Sequence, residues 1–301
     1  MVAPVTVRVR NLSSGGLMAE YAGAVEIGDP ISIEVRGVGW VKGRVAWAAE
    51  ARVGAIDLFG VPAIENDVDC LSDRLRITQT VAAFDFPRPL HSLLRPVGPI
   101  RSDVAPIGRP VPAMGERRRP FVFASLGTLQ GHRFDLFRRI AAACEDLDAE
   151  LLVAHCGGLD PAQAERLEAD WVVDFADQMA ALKRADICIT HGGLNTVLDA
   201  LAVGTPMLAL PIAFDQPGVG ARILHHGVGE AVSAGRATRG AIRRRLKRLL
   251  DGNEAYVAAA EPLRADIGRS GGAKAAAALV DAYLREDSVS SPVQASSLQK
   301  A

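Results

Sequence analysis

The alternation that starts at Pro120 constrains the fold of this chain more than any other feature. PFVFASLGT (120–128) reads as a buried strand running into a small-residue loop. Phe134–Leu147 then carries helical periodicity through Phe134, Phe137, Ile140, Ala141 and Cys144. ELLVAHCG is a second strand, and Asp160 caps PAQAERLEA, with Pro161 at the first helical position. WVVDF, DICIT, PMLALP and GEAV follow as strands. Between them lie the helices DQMAALKRA, LNTVLDALAVG (closed by Gly204) and DQPGVGARILHHG. Further helices start near Thr238, Asn253 and Gly272. Strands alternating with helices imply a parallel sheet covered on both faces. The expected class is therefore α/β, a doubly wound, Rossmann-like parallel sheet over 120–286.

What precedes it has another character. Residues 4–59 read as short β runs between glycine and polar turns: VTVRVRN, LMAEYA, ISIEVRG, WVKGRVAWAAE and ARVGAIDLFG. A small antiparallel sheet or partial barrel over 1–60, with little core of its own, is expected. IENDVDCLSDRLR suggests a helix capped near Asn66 or Asp67. Prolines 87, 89, 96, 99, 106, 110, 112 and 120 then crowd the segment. Each removes an amide donor and biases its predecessor away from helix, so 61–119 reads as an extended connector. The tail 287–301 is low in complexity and expected to be disordered.

At 301 residues the chain has room for roughly two domains. A net charge of −1 excludes a dominant electrostatic footprint for nucleic acid, so no nucleic-acid partner is expected. Four cysteines without a CxxC pair give no disulfide framework or zinc knuckle and read as reduced thiols. No signal pattern and no apolar run of spanning length occurs, which reads as a cytoplasmic chain. Its expected membrane contact is peripheral, at the inner face, through the basic run Arg243–Arg248. A solvated helix face is the plainer reading of that run.

Two strand-to-helix junctions are equipped for an anion. Ser125-Leu126-Gly127-Thr128 places hydroxyls and small residues where amides can approach a phosphate, although a plain tight turn has the same composition. Thr190-His191-Gly192-Gly193-Leu194-Asn195-Thr196 places two glycines at a helix N-terminus, whose free amides and dipole suit a diphosphate. It is neither a P-loop nor a GxGxxG fingerprint. Asp199 lies eight residues past His191, where a carboxylate can accept from ribose hydroxyls. Asp215-Gln216 lies twenty-four past it, at the head of the next helix, suited to sugar hydroxyls. Upstream, Phe175 and Gln178 offer an aromatic face and an amide for a base. Taken singly, each has a plainer reading: a structural histidine, an accidental HGG, a helix cap at Asp215. The joint spacing is what points to a nucleotide sugar.

With these motifs the stretch 120–285 resembles the nucleotide-binding C-terminal lobe of the UDP-glycosyltransferases, inverting enzymes with two facing Rossmann-like lobes (GT-B). FASLGTLQGHRFDLFRRIAAAC and ITHGGLNTVLDALAVGTPMLALPIAFDQPGVGARILHHGVG look most like the branch that glucosylates carotenoids such as zeaxanthin. The likeness reaches back through TQTVAAFDFPRPL and RPVGPIRSD, which makes the proline-rich connector 61–119 the expected remnant of the family's first lobe and its linker. The resemblance implies uracil and ribose positions at Phe175 (commonly Trp), Gln178 and Asp199 (usually Glu). It implies diphosphate positions at Thr128, His191, Gly193, Asn195 and Thr196, and donor-sugar positions at Asp215 and Gln216. It further implies a UDP-glucose-type donor as substrate, a lipophilic hydroxyl acceptor, and no cofactor or metal.

The family's catalytic base is a histidine near the start of its first lobe. None of the six histidines here precedes residue 91, so the base and most of the acceptor pocket are expected to be absent. General-base catalysis is worth about 10²–10⁴-fold, and a catalytically incomplete nucleotide-sugar-binding half, either a remnant or the subunit of a split transferase served by a partner chain, stays open as the alternative. Residues 1–60 instead resemble the second part of a PilZ domain, the cyclic-di-GMP-binding barrel. Asn11-Leu12-Ser13-Ser14-Gly15-Gly16 matches its [DN]xSxxG motif. The RxxxR signature that grips the ligand is absent, so cyclic-di-GMP is not an expected partner. A genuine fusion, a rearranged gene and a misassigned start all fit this arrangement.

Overall fold

A computed structural model of the chain describes residues 5, 7–13, 16–21, 23–35, 39–49, 52–56, 72, 74–87, 92–101, 111 and 119–290. It divides into two compact units, Met1–Arg74 and Leu75–Ala301.

In the first unit, β1 (Arg8–Ser13), β2 (Gly16–Glu20), β3 (Pro30–Val35), β4 (Gly39–Ala49) and β5 (Arg52–Ile56) form one sheet. Its strand order is β1-β2-β5-β4-β3, every neighbour antiparallel. Leu17, Ala19 and Val53 are its buried apolar cluster, with Tyr21, Ile31 and Ile33 partly covered around it. The antiparallel sheet and the meagre core match the expectation. The helix expected over 64–76 falls mostly outside the described residues; its last residue, Arg76, lies in a strand.

The second unit is built on six parallel strands: β8 (Phe121–Ser125), β9 (Glu150–Ala154), β10 (Trp171–Val173), β11 (Ile187–Thr190), β12 (Met207–Ala209) and β13 (Gly229–Ala231). Their order is β10-β9-β8-β11-β12-β13. Counted within the lobe this is 3-2-1-4-5-6, the dinucleotide-fold order whose direction reverses between β8 and β11. β8 and β11 are buried along their whole length, as strands covered on both faces must be. Val122, Ala124, Val153 and Ile189 face α1 (Phe134–Glu145) and α6 (Arg239–Asp251). Phe121, Phe123, Leu152 and Cys188 face the other layer. That layer contains α3 (Gln178–Arg184), α4 (Leu194–Val203), α5 (Gln216–His225) and α7 (Asn253–Arg269).

Helix ends follow local chemistry. Asp160 and Gln163 form a reciprocal capping box on α2 (Pro161–Glu165), which stops well short of the predicted PAQAERLEA. Gly204 ends α4 at φ 79°, the left-handed region glycine enters without strain. Burial pushes the thiols of Cys144 and Cys188 up to about 12, which makes them inert.

Two boundaries need correction. The segment 75–101 is not a free connector. β6 (Arg76–Thr78) pairs in parallel with β7 (Leu94–Pro96), and Val81 and Phe84 are buried in the core beneath α5 and α7. The Arg222 guanidinium donates to Asp85 at 2.6 and 3.0 Å, and Phe84 stacks on His226. Prolines keep this stretch out of helix, but its apolar residues still find the lobe. The second concerns the C-terminus: α8 (Gly272–Ser290) continues past 287, because AAAALVDAYLRE sustains helix. Residues 291–301 lie outside the described residues.

Candidate functional site

The C-terminal ends of β8 and β11 are neighbours across the point where strand order reverses, so their loops open on one crevice. Gly127, after β8, sits at φ 72°, with its amide 3.4 Å from Ser125 Oγ. Thr128 follows, exposed, in a turn. After β11, Gly192 sits at φ 86° and its amide donates to Thr190 Oγ1 at 3.2 Å. Gly193 is the N-cap of α4 and supplies no side-chain cap. The first-turn amides thus face the crevice without a side-chain acceptor, the arrangement an anion completes.

His191 lies between the two loops. A Cβ at Gly127 would stand 2.7 Å from its Cε1, and one at Gly193 would stand 2.6 Å from Cε1 and Nε2. A side chain at either position would therefore push the imidazole aside, and at Gly127 the left-handed φ favours glycine as well. Burial lowers the His191 pKa, only partly opposed by Asp215, so the ring is neutral at pH 7. Its Nδ1 is buried without a partner.

One turn into α4, Asp199 brings together two other residues that the sequence singles out. Gln178 Nε2 donates to Asp199 Oδ2 at 2.7 Å, and Thr196 Oγ1 donates to Gln178 Oε1 at 3.3 Å. Asp177 caps α3 by accepting from Ala180, which fixes where Gln178 begins the helix. Phe175, three residues earlier, is 41% exposed, an aromatic face left open.

Asp215 and Gln216 head α5 with different roles. Asp215 makes no capping bond and is exposed, so the helix-cap reading of it falls. Phe214 before it is 75% exposed at φ 58°, a strained conformation for a non-glycine residue. Gln216 is buried, and its Oε1 accepts from the amides of Ile212 at 2.8 Å and Ala213 at 2.9 Å. Its carbonyl holds the loop, which leaves only the amide nitrogen for a ligand.

Sequence reasoning missed Arg101. From the docked segment its guanidinium donates to Asp199 Oδ1 through Nε at 2.9 Å, and its Nη2 lies 2.8 Å from the same oxygen. It also donates to Asn195 Oδ1 at 3.3 Å and to the Asn195 carbonyl at 2.9 Å. Ninety-eight residues separate Arg101 from Asp199, and no periodicity or motif spacing links them.

A family model described as UDP-glucoronosyl and UDP-glucosyl transferase matches residues 53–260. The chain belongs to this family. The match starts inside β5, earlier than the motif resemblance reached. Zeaxanthin glucosyltransferase of Pantoea ananas is 45% identical over 216 residues, 70% of this chain and 50% of its own. Zeaxanthin glucosyltransferase of Pseudescherichia vulneris is 49% identical over 179 residues, 58% of this chain and 42% of its own. The chain thus spans about half the length of the curated relatives it matches. Among solved structures, a calicheamicin glycosyltransferase superposes with TM-score 0.60 at 25% identity, covering 76% of this chain and 58% of the other. The glycosyltransferase of kitacinnamycin gives 0.61 at 22% identity, over 74% and 58%, and shares the fold.

The remaining sequence features have plainer places. In the basic run, Arg243 lies near Asp146, Arg245 and Arg248 meet Glu230, and Lys247 meets Asp251. His155 accepts from the Leu159 amide and its Nε2 lies 3.1 Å from Asp174. No helix among the described residues is long and apolar enough to cross a membrane.

Proposed function

We propose that the second unit binds UDP-glucose as donor for transfer to a lipophilic hydroxyl acceptor of the carotenoid type. The carrying observation is the Gln178–Asp199 hydrogen bond beside the uncapped N-terminus of α4. It supports the reading because Gln178, Asp199 and the first-turn amides of α4 stand together. Uracil stacks on Phe175, the ribose hydroxyls meet Asp199, and the diphosphate meets the α4 amides with Thr128 and His191. Asp215 takes sugar hydroxyls. The helix dipole and the His191 donor offset the diphosphate charge, so a divalent cation is not required. The zeaxanthin glucosyltransferases among the relatives support the choice of sugar and acceptor.

Calorimetry with UDP and UDP-glucose tests the reading: both bind, and EDTA leaves the affinity unchanged. No measurable UDP binding overturns it.

A second reading is a donor-binding half that performs no transfer alone and is served by a partner chain. The histidines favour it. His155 is used by Asp174 and Leu159, His191 is clamped between two glycines, and His225 and His226 pack on Phe86 and Phe84. None of these four is placed as a base for an acceptor hydroxyl. Turnover of zeaxanthin with UDP-glucose by this chain alone eliminates that reading. The antiparallel sheet of residues 8–56 is compatible with the PilZ-like reading in topology, and no ligand is proposed for it.

A further inference from the structure

We propose that Arg101 is a positioning residue of the nucleotide site, setting the Asp199 carboxylate for a ribose hydroxyl and so giving the lobe its preference for ribose over deoxyribose. The inference rests on the reading of Asp199 as the ribose acceptor.

Asp199 is held from two sides. Gln178 occupies Oδ2 and Arg101 occupies Oδ1, and the carboxylate side chain is only 14% exposed. A carboxylate offers about four acceptor sites, two on each oxygen; Oδ1 faces both Nε and Nη2 of Arg101 while Oδ2 takes only the Gln178 bond, so Oδ2 retains capacity for a hydroxyl. What the two donors remove is rotation of the carboxylate. Arg101 suits this task because its planar fork engages Asp199 and the Asn195 carbonyl together, one turn apart on α4. Its remaining nitrogen, Nη1, reaches the Ile100 carbonyl at 3.1 Å and Asn195 Oδ1 at 3.3 Å. All three guanidinium nitrogens thus have acceptors within the lobe. Arg101 acts on Asp199 and not on the nucleotide, and a lysine, a single point charge, does not reproduce the bridge.

The test compares UDP with 2′-deoxy-UDP by calorimetry on the full chain. A hydrogen bond to a charged group predicts a wild-type preference for UDP of about tenfold. R101A and R101K are expected to reduce it to roughly twofold, and in D199A, which removes the acceptor, the further change R101A leaves the preference unaltered. R222A is the control. It removes the Asp85 contact that docks the same segment without touching Asp199, and should lower the melting temperature while leaving the preference intact. A preference unchanged in R101A overturns the proposal, as does an equal loss in R222A, which assigns the effect to docking alone. Failure of the wild type to bind UDP removes the donor-site reading itself and this inference with it. A wild type that binds UDP and 2′-deoxy-UDP equally overturns the ribose role while leaving the donor site standing.

Discussion

At the residue scale, His191 is the side chain on which the site turns. It is neutral, half enclosed, and packed against two glycines at which a Cβ would displace the ring. His191→Ala is expected to weaken UDP-glucose binding by about 2 kcal/mol, roughly thirtyfold, the worth of one hydrogen bond to a charged group. Calorimetry at pH 7 reads it, and an unchanged affinity removes His191 from the diphosphate. The buried imidazoles also set an acid limit. Folding lowers the pKa of His155, His191 and His226 below 6.5, burial being the largest cause in each. The unfolded chain therefore takes up protons first as the pH falls. The contribution to stability is whole above the unfolded value and is lost as pH falls through 6.5 toward the folded values. Thermal melts should drop between pH 7 and 5, and His226→Gln should flatten the drop. A melting temperature constant over that window contradicts the assignment. That Phe175, Gln178, His191 and Asp199 follow the carboxyl ends of strands was legible because each stands at a fixed offset from a strand end. Arg101 was not, since its partner is set by tertiary docking and not by spacing.

At the element scale, the site depends on two loops whose backbones approach closely. Gly127 combines a left-handed φ with a neighbour 2.7 Å from its missing Cβ. Gly127→Ala is expected to cost about 1–3 kcal/mol from backbone strain and to displace His191, so both the unfolding free energy and UDP affinity fall. Loss of stability without loss of affinity would separate the turn from the site. The docked segment behaves as part of the lobe. Phe84 is 1% exposed beneath α5 and α7, so Phe84→Ala should cost about 3–5 kcal/mol in urea unfolding. A surface-like effect below 1 kcal/mol would mean that the segment is only laid against the lobe. Prolines told where helix is forbidden, and correctly so. They did not tell where an extended chain is buried, because that depends on the apolar side chains of Val81 and Phe84 finding a groove built by residues more than a hundred positions later.

At the scale of the whole molecule, strand order was legible in class but not in sequence of neighbours. The βα alternation requires a parallel sheet, and right-handed crossovers then leave few arrangements. The reversal between β8 and β11, which puts Ser125–Thr128 beside Thr190–Gly193, is visible only once the strands are paired. The change of character along the chain was legible, and by compactness the chain divides between Arg74 and Leu75. The two units also hold separate apolar clusters: Leu17, Ala19 and Val53 in the first, and the two large clusters on either face of the parallel sheet in the second. Every residue argued to touch the donor, and Arg101 behind Asp199, belongs to the second. A core and a site confined to one unit require that residues 75–301, expressed alone, fold cooperatively and bind UDP within about twofold of the full chain, since interactions between distant, independent sites add to within ~0.5 kcal/mol. A single urea transition and a calorimetric titration decide it. If the fragment folds but its UDP affinity falls by more than about tenfold, a difference of ~1.4 kcal/mol, the first unit takes part in donor binding, and the site cannot be assigned to the α/β lobe alone.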